Sequence, residues 1–237
     1  MRRDVFAALV RCSARLLVVA CVQLSLATAL LTSAARHIDI ARVRNVSPLV
    51  ADAQPLARYR LDAAQSRFMV RTFSGGLLWF KGHDHFIAAR DFNGEVELTP
   101  TGITPATLTL TVRAASLTET RDVFTEPQKQ IINREINELV LESGKYPEIT
   151  FRSTQVTVNP KANGFDVRLT GDLTLHGVTR HITIPALVNL SGNDLHARGE
   201  FTIKRSDYNV KATSAVHGTI RVRNKLKLSF DIVAHHV

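Results

Sequence analysis

Lys145-Tyr146-Pro147-Glu148-Ile149-Thr150-Phe151 and, twenty residues on, Gly171-Asp172-Leu173-Thr174-Leu175-His176-Gly177-Val178-Thr179 are the two stretches whose reading decides the fold. Each is a strand with its own punctuation. Proline pushes the residue before it out of the helical region, so Tyr146-Pro147 sets an extended entry. Side chains alternate along a strand, which puts Ile149, Phe151 and Ser153 on one face. In the second stretch Leu173 and Leu175 point one way, and Asp172, Thr174 and His176 the other. Gly177 supplies a turn, and the chain runs back through Ile182 and Ile184.

The same alternation extends in both directions. Tyr59 to Val70, Asp91 to Thr99, Thr107 to Val112, Phe151 to Val158, Phe165 to Leu175, His181 to Leu190, Leu195 to Lys204, Val216 to Arg223 and Leu226 to Ile232 all read as strands. The last has Leu226, Leu228, Phe230 and Ile232 on one side and Lys225, Lys227, Ser229 and Asp231 on the other. Many short alternating strands divided by Gly, Pro and Asn turns, such as Pro160 to Gly164, indicate an antiparallel barrel or sandwich. One helix interrupts them. Thr125-Glu126-Pro127-Gln128 reads as a helix start, with Thr125 as N-cap, Pro127 at the first helical position and Gln128 three residues past the cap. Ile131, Ile132, Ile136, Leu139 and Val140 mark its apolar face, and Gly144 and Pro147 end it. Such a helix covers a barrel mouth, either as fixed cover or as a lid.

The Tyr146-Pro147-x-Ile149-Thr150-Phe151 strand followed by the Gly171 to Thr179 hairpin resembles the hallmark of the YceI-like family of small exported β-barrels. The resemblance spans roughly residues 58–233. It implies an all-β fold with one helix: an eight-stranded antiparallel lipocalin-like barrel, the amphipathic helix in a long connection near a mouth. It also implies binding of a long apolar lipid, notably a polyisoprenoid, inside the barrel, and members that pair as homodimers. Arg121-Asp122 fits a stretch that many members carry before the Tyr-Pro block, but Thr125 to Leu141 replaces the rest with a different helix.

An eight-stranded barrel is just wide enough to be filled by side chains or to hold one ligand. Phe68, Val70, Phe151, Leu173, Leu175, Phe201, Ile203, Leu228 and Phe230 are the candidate lumen residues. They would equally serve as the core of a solid barrel, and periodicity does not separate the two.

The net charge of +9 suggests nucleic acid until it is divided. Residues 1–50 hold seven Arg against Asp4 and Asp39, and the charges beyond are scattered, without aromatics interleaved in a basic stripe. That pattern argues against nucleic-acid binding. Arg2, Arg3, Arg11 and Arg15 precede an uncharged run from Leu16 to Ala35, with small residues at 27–29 and 33–35 as cleavage sites. Residues 1–35 are therefore expected to be a signal peptide or a signal anchor, 36–57 a linker, and 58–237 the barrel domain. The expected location is periplasmic or secreted, with inner-membrane association if the leader is retained. Cys12 and Cys21 both fall in the leader, so the body offers no disulfide, thiol nucleophile or cysteine metal cage.

The histidines carry the alternative. Gly82-His83-Asp84-His85-Phe86 places His83 and His85 on one face at chelating spacing, with His176, His181, His196, His217, His235 and His236 as further donors. That points to a metal-binding protein or metal-dependent enzyme. The competing reading has rim histidines hydrogen-bonded to backbone, with Asp84 fixing one tautomer. No Gly-x-Ser-x-Gly nucleophile elbow is present, Ser74-Gly75-Gly76 reads as a flexible turn, and no catalytic residue or cofactor other than a bound lipid is expected. Leu77-Leu78-Trp79-Phe80 is either a buried strand or an interfacial membrane contact.

Overall fold

The computed structural model describes residues 56–76, 82–99, 106–215 and 220–237. The expectations for the leader, for the linker up to residue 55, for both cysteines, for Leu77 to Phe80 and for His217 lie outside the described residues.

The elements are β1 (Ala57–Leu61), β2 (Arg67–Thr72), β3 (Ser74–Gly75), β4 (His85–Ala89), β5 (Phe92–Leu98), β6 (Ala106–Arg113), β7 (Leu117–Glu119), α1 (Glu126–Glu135), β8 (Glu148–Lys161), β9 (Gly164–Leu175), β10 (Val178–Ser191), β11 (Asp194–Lys204), β12 (Ser214–Ala215), β13 (Ile220–Val222) and β14 (Lys225–His236). β1, β5, β6, β8, β9, β10, β11 and β14 pair in that order, and β14 returns to β1 through Leu61↔Ala234 and Tyr59↔His236. All these pairings are antiparallel, and the closed ring of eight leaves no free edge.

The first strand departs from the sequence reading. Tyr59 to Val70 is not one strand but two, β1 and β2, broken at residues 62–66. Asp62 Oδ1 accepts the N–H groups of Ala64 (2.8 Å) and Gln65 (3.2 Å), a side-chain alternative to the ladder. Ser66 Oγ then bridges Val233, donating to its carbonyl and accepting from its N–H. Both halves still pair with β14, but β1 turns to β5 while β2 turns to β4. Two similar breaks follow, at Arg90-Asp91 and at Ala114–Ser116. The barrel is thus a continuous ring at one end and splayed at the other, where the last strand of the branch is β7.

The helix sits at the splayed end. The Thr125 N–H donates to Gln128 Oε1 at 2.8 Å, as the capping signal requires, with Pro127 second rather than first in the helix. Asn133 Oδ1 accepts the Glu119 N–H at 2.7 Å and ties α1 to β7. After Glu135 the helix widens into one π-turn, Ile136–Val140, closed by the Leu141 N–H on the Ile136 carbonyl at 2.8 Å. That wider turn shifts the phase of the apolar stripe. Ile132, Ile136 and Val140 face inward, whereas Ile131 and Leu139, expected on the same face, are 57% and 60% exposed. Glu142, at φ 46°, ends the helix just before Gly144. Ser74–Gly75 is likewise no flexible turn: β3 pairs with β13, and Arg223 Nε donates to the Ser74 carbonyl at 2.7 Å.

Candidate ligand cavities

The wall of the barrel explains the paired motif. β8 and β9 are neighbours, with Phe151 opposite Leu173 and Thr150 opposite Thr174. Between Ser153 and Gln155 the register slips by one residue. A bulge of that kind moves every later side chain to the other face, so Val156 and Val158 continue the inward row begun by Ile149 and Phe151. Gly171 sits opposite the slip, where a Cβ would collide with the Arg152 carbonyl. At the far end of the hairpin His176 and Gly177 both have positive φ, 52° and 72°, the two-residue turn that suits the twist of a hairpin. Tyr146 lies against that turn, with its ring 4.4 Å from the His176 ring and its edge against Gly177. The tyrosine of one half of the motif therefore packs on the turn of the other half.

Inside the ring is a cavity whose exposed wall is apolar. Its volume is about 170 Å³. Phe68, Val70, Phe151, Leu173, Phe201, Leu228 and Phe230 line it, seven of the nine residues singled out from the sequence. Phe68 meets Phe92 edge-on, with ring centres 4.8 Å apart. Leu175 is displaced to a second cavity at the splayed end, and Ile203 is buried in the same cluster without lining either. Both are near the end of an inward row. The sequence reading missed Ile149, Leu169, Ile184 and Val188 as lining residues, although each carries the inward phase of its strand.

The second cavity lies beneath the helix and is mixed in character. Ile132, Ile136, Val140 and Leu141 form its cover, and Thr72, His85, Arg205, Lys211 and Glu135 bring polar groups to its wall. Val70 and Leu117 line both cavities.

His83 and His85 do converge, but on a ring. His85 stacks on Phe124 with centres 5.3 Å apart and planes 7° apart, and His83 meets the same ring edge-on at 5.6 Å. His85 Nδ1 lies 2.7 Å from Glu119 Oε2. Glu119 is buried, and its other oxygen accepts the N–H groups of Phe86, Thr120 and Arg121. Glu119, not Asp84, is thus the carboxylate that orients the histidine. Asp84 instead accepts two bonds from Arg71 and the Ser74 N–H. Burial alone would raise its pKa, but Arg71, the Ser74 N–H and the charge of Arg121 outweigh that and hold the carboxyl below its ordinary range. Among the described residues no group of three His, Cys, Asp or Glu side chains is placed to hold a metal ion. His181 pairs with Asp172 at 2.8 Å, and His235 with Asp194 at 2.7 Å, each on a different part of the barrel.

The family model described as the YceI-like domain matches residues 59–234. A UPF0312 protein of Vibrio parahaemolyticus is 54% identical over 54 residues, 23% of this chain and 27% of that protein. Protein YceI of an Escherichia coli strain is 40% identical over 79 residues, 30% of this chain and 38% of that protein. The matches thus span 27% and 38% of these curated relatives' own length. Among solved structures, Burkholderia cenocepacia BcnA superposes with a TM-score of 0.56 at 20% identity, covering 73% of this chain and 98% of that one. A polyisoprenoid binding domain from Saccharophagus degradans, implicated in plant cell wall breakdown, gives 0.51 at 19% identity, covering 77% and 99%. At these identities the two superpositions show a shared fold.

Proposed function

The chain belongs to the YceI-like domain family, and from that premise we propose that its barrel is a non-enzymatic binder that carries or sequesters the tail of a long-chain lipid, a polyisoprenoid or similar amphiphile. The observation that carries this reading is the lumen cavity, apolar across its exposed wall and framed by Phe68, Phe151, Phe201 and Phe230. A branched or straight hydrocarbon chain is the complement of such a wall. Each buried CH₂ contributes about 0.8 kcal/mol, so a five-carbon unit is worth roughly 4 kcal/mol before the losses of association are subtracted. The fold shared with a polyisoprenoid binding domain supports the same class of ligand. The carrier works outside the cytoplasm, in the periplasm or secreted, or at the inner membrane where residues 1–35 are retained. A homodimer is compatible with this role.

Native mass spectrometry of the exported protein, followed by lipid extraction of the same sample, tests the reading. The expected result is a bound mass that extracts as a polyprenyl or acyl compound. A protein that emerges empty and fails to take up a geranylgeranyl compound added to it would overturn it.

A further inference from the structure

We infer that the cavity beneath the helix is a head-group site, selecting lipids that carry an oxyanion, a phosphate or a carboxylate, while the tail occupies the lumen. The inference rests on the lumen reading above and adds the class of the polar end. Thr72 Oγ1 and Arg205 Nε are buried atoms with no hydrogen-bond partner among the described residues, and both residues line this cavity. An unmet buried polar group destabilises a fold, so native structures hold few of them and each calls for a cause. Here the two belong to residues that line one cavity from different elements, Thr72 on β2 and Arg205 in the turn after β11. An oxyanion supplies the acceptor that both lack.

The neighbours fit the same ligand. Arg205 is held in place by its own second bond, from Nη1 to the Val210 carbonyl at 2.8 Å, so its Nε–H is left for a guest. Thr72 lies directly opposite His85 across the β2–β4 ladder. Lys211 adds a second cation to the wall, against the carboxylate of Glu135 on the cover. Val70 and Leu117, shared by both cavities, mark where head meets tail. Thr72 Oγ1 and Arg205 Nε are sealed from water, so a head reaches them only when the wall around them shifts. The π-turn at Ile136–Val140 is the local irregularity in that cover.

The test uses one tail and four ends: geranylgeranyl phosphate, geranylgeranoic acid, geranylgeraniol and the headless hydrocarbon, each titrated into the protein by calorimetry. A bond to a charged group implies that one or both oxyanion lipids bind about tenfold or more tighter than the alcohol. The tighter of the two names the head. Thr72→Val and Arg205→Met should each shrink that gap. Should Arg205→Met fail to fold for want of its Val210 bond, Thr72→Val decides alone. Equal affinity for all four ends, or a preference that survives the substitutions, overturns the head-group site and leaves the lumen reading standing. If the alcohol and the hydrocarbon also fail to bind, the lumen reading falls first and the head-group site with it.

Discussion

The two ends of this barrel solve the same problem differently. At the closed end β1 joins β14 to β5, and tight hairpins at 162–163 and 192–193 complete the rim over Tyr59, Leu98, Val188 and Leu195. Its backbone groups are met by the ladder. At the splayed end β2, β4 and β7 leave the ring, and side chains supplement the ladder: Glu119 on the Phe86 and Arg121 N–H groups, Asn133 on the Glu119 N–H, Asp84 on Arg71 and Ser74. A ladder is closed for as long as the fold persists. A seam made of side chains can open locally, because fewer backbone bonds must break together. Local opening is therefore expected first at the helix end, and the ring at the other end is the more persistent.

The harshest way to break the comparison is to damage the wall both ends share. Phe151, 3% exposed, is at the centre of that wall. Phe151→Asp buries an unpaired charge and should cost about 4 kcal/mol or more, with lipid uptake abolished. Urea denaturation checks the first and lipid extraction the second. Both ends should loosen together; a variant of wild-type stability would mean that the lumen is wetter than its wall implies. Glu119→Leu is more selective. It strands the Phe86 and Arg121 N–H groups and His85, and should cost roughly 2–4 kcal/mol, located at the splayed end. Amide exchange should rise in α1, β4 and β7 while β10 and β11 keep their protection. Uniform loosening would show the seam to be part of the global fold.

Gly177→Ala falls between these sites and the rim. Its φ of 72° strains any other residue by about 1–2 kcal/mol, and the new methyl would press on Tyr146. A melting shift larger than that of an alanine placed at Gly192, equally positive in φ but with nothing near its Cβ, would confirm that the two halves of the motif hold each other.

The sequence made one end far more legible than the other, and the reason is physical. Strands β9, β10, β11 and β14 repeat inward and outward residues without interruption, so period two alone places Leu173, Phe201, Leu228 and Phe230 on the lumen wall. Where a side chain interrupts the ladder, periodicity gives no warning. The break at Asp62 to Ser66 hid inside an alternating run, and the slip at Ser153 reversed the phase of Val156 without changing any residue type. The helix cap was readable because its signal is local. The π-turn after Glu135 was not, so Ile131 and Leu139 were placed on the wrong face. Glu119 left no trace at all, since His85 and Phe86, which bind its two oxygens, lie 34 and 33 residues away in the sequence. The same holds for Arg205 and Thr72, which meet only through the cavity.

The gentlest test separates the ends by pH. At the splayed end the lowered pKa of Asp84 means that its contribution is present above its ordinary value of 3.8 and is lost as pH falls through the folded value. At the closed end Asp194 and Asp62, both bonded to the His235 ring, raise the pKa of His235 above 6.5. Its contribution is full below pH 6.5 and is lost as pH rises through the raised value. Asp62, held low by Gln65 and by the Ala64 N–H, adds an acid-side loss at the same end. The ring is exposed, and salt screens such pairs, so the effect is small. Melting temperature followed upward from pH 6 should therefore decline slightly in the wild type and stay level in His235→Gln. The decline should weaken in high salt. Amide exchange in β1 and at the end of β14 should follow it, while α1 stays unchanged. A matching response in α1 would mean that the two ends are one cooperative unit, and that opening at the helix cannot be separated from the integrity of the ring.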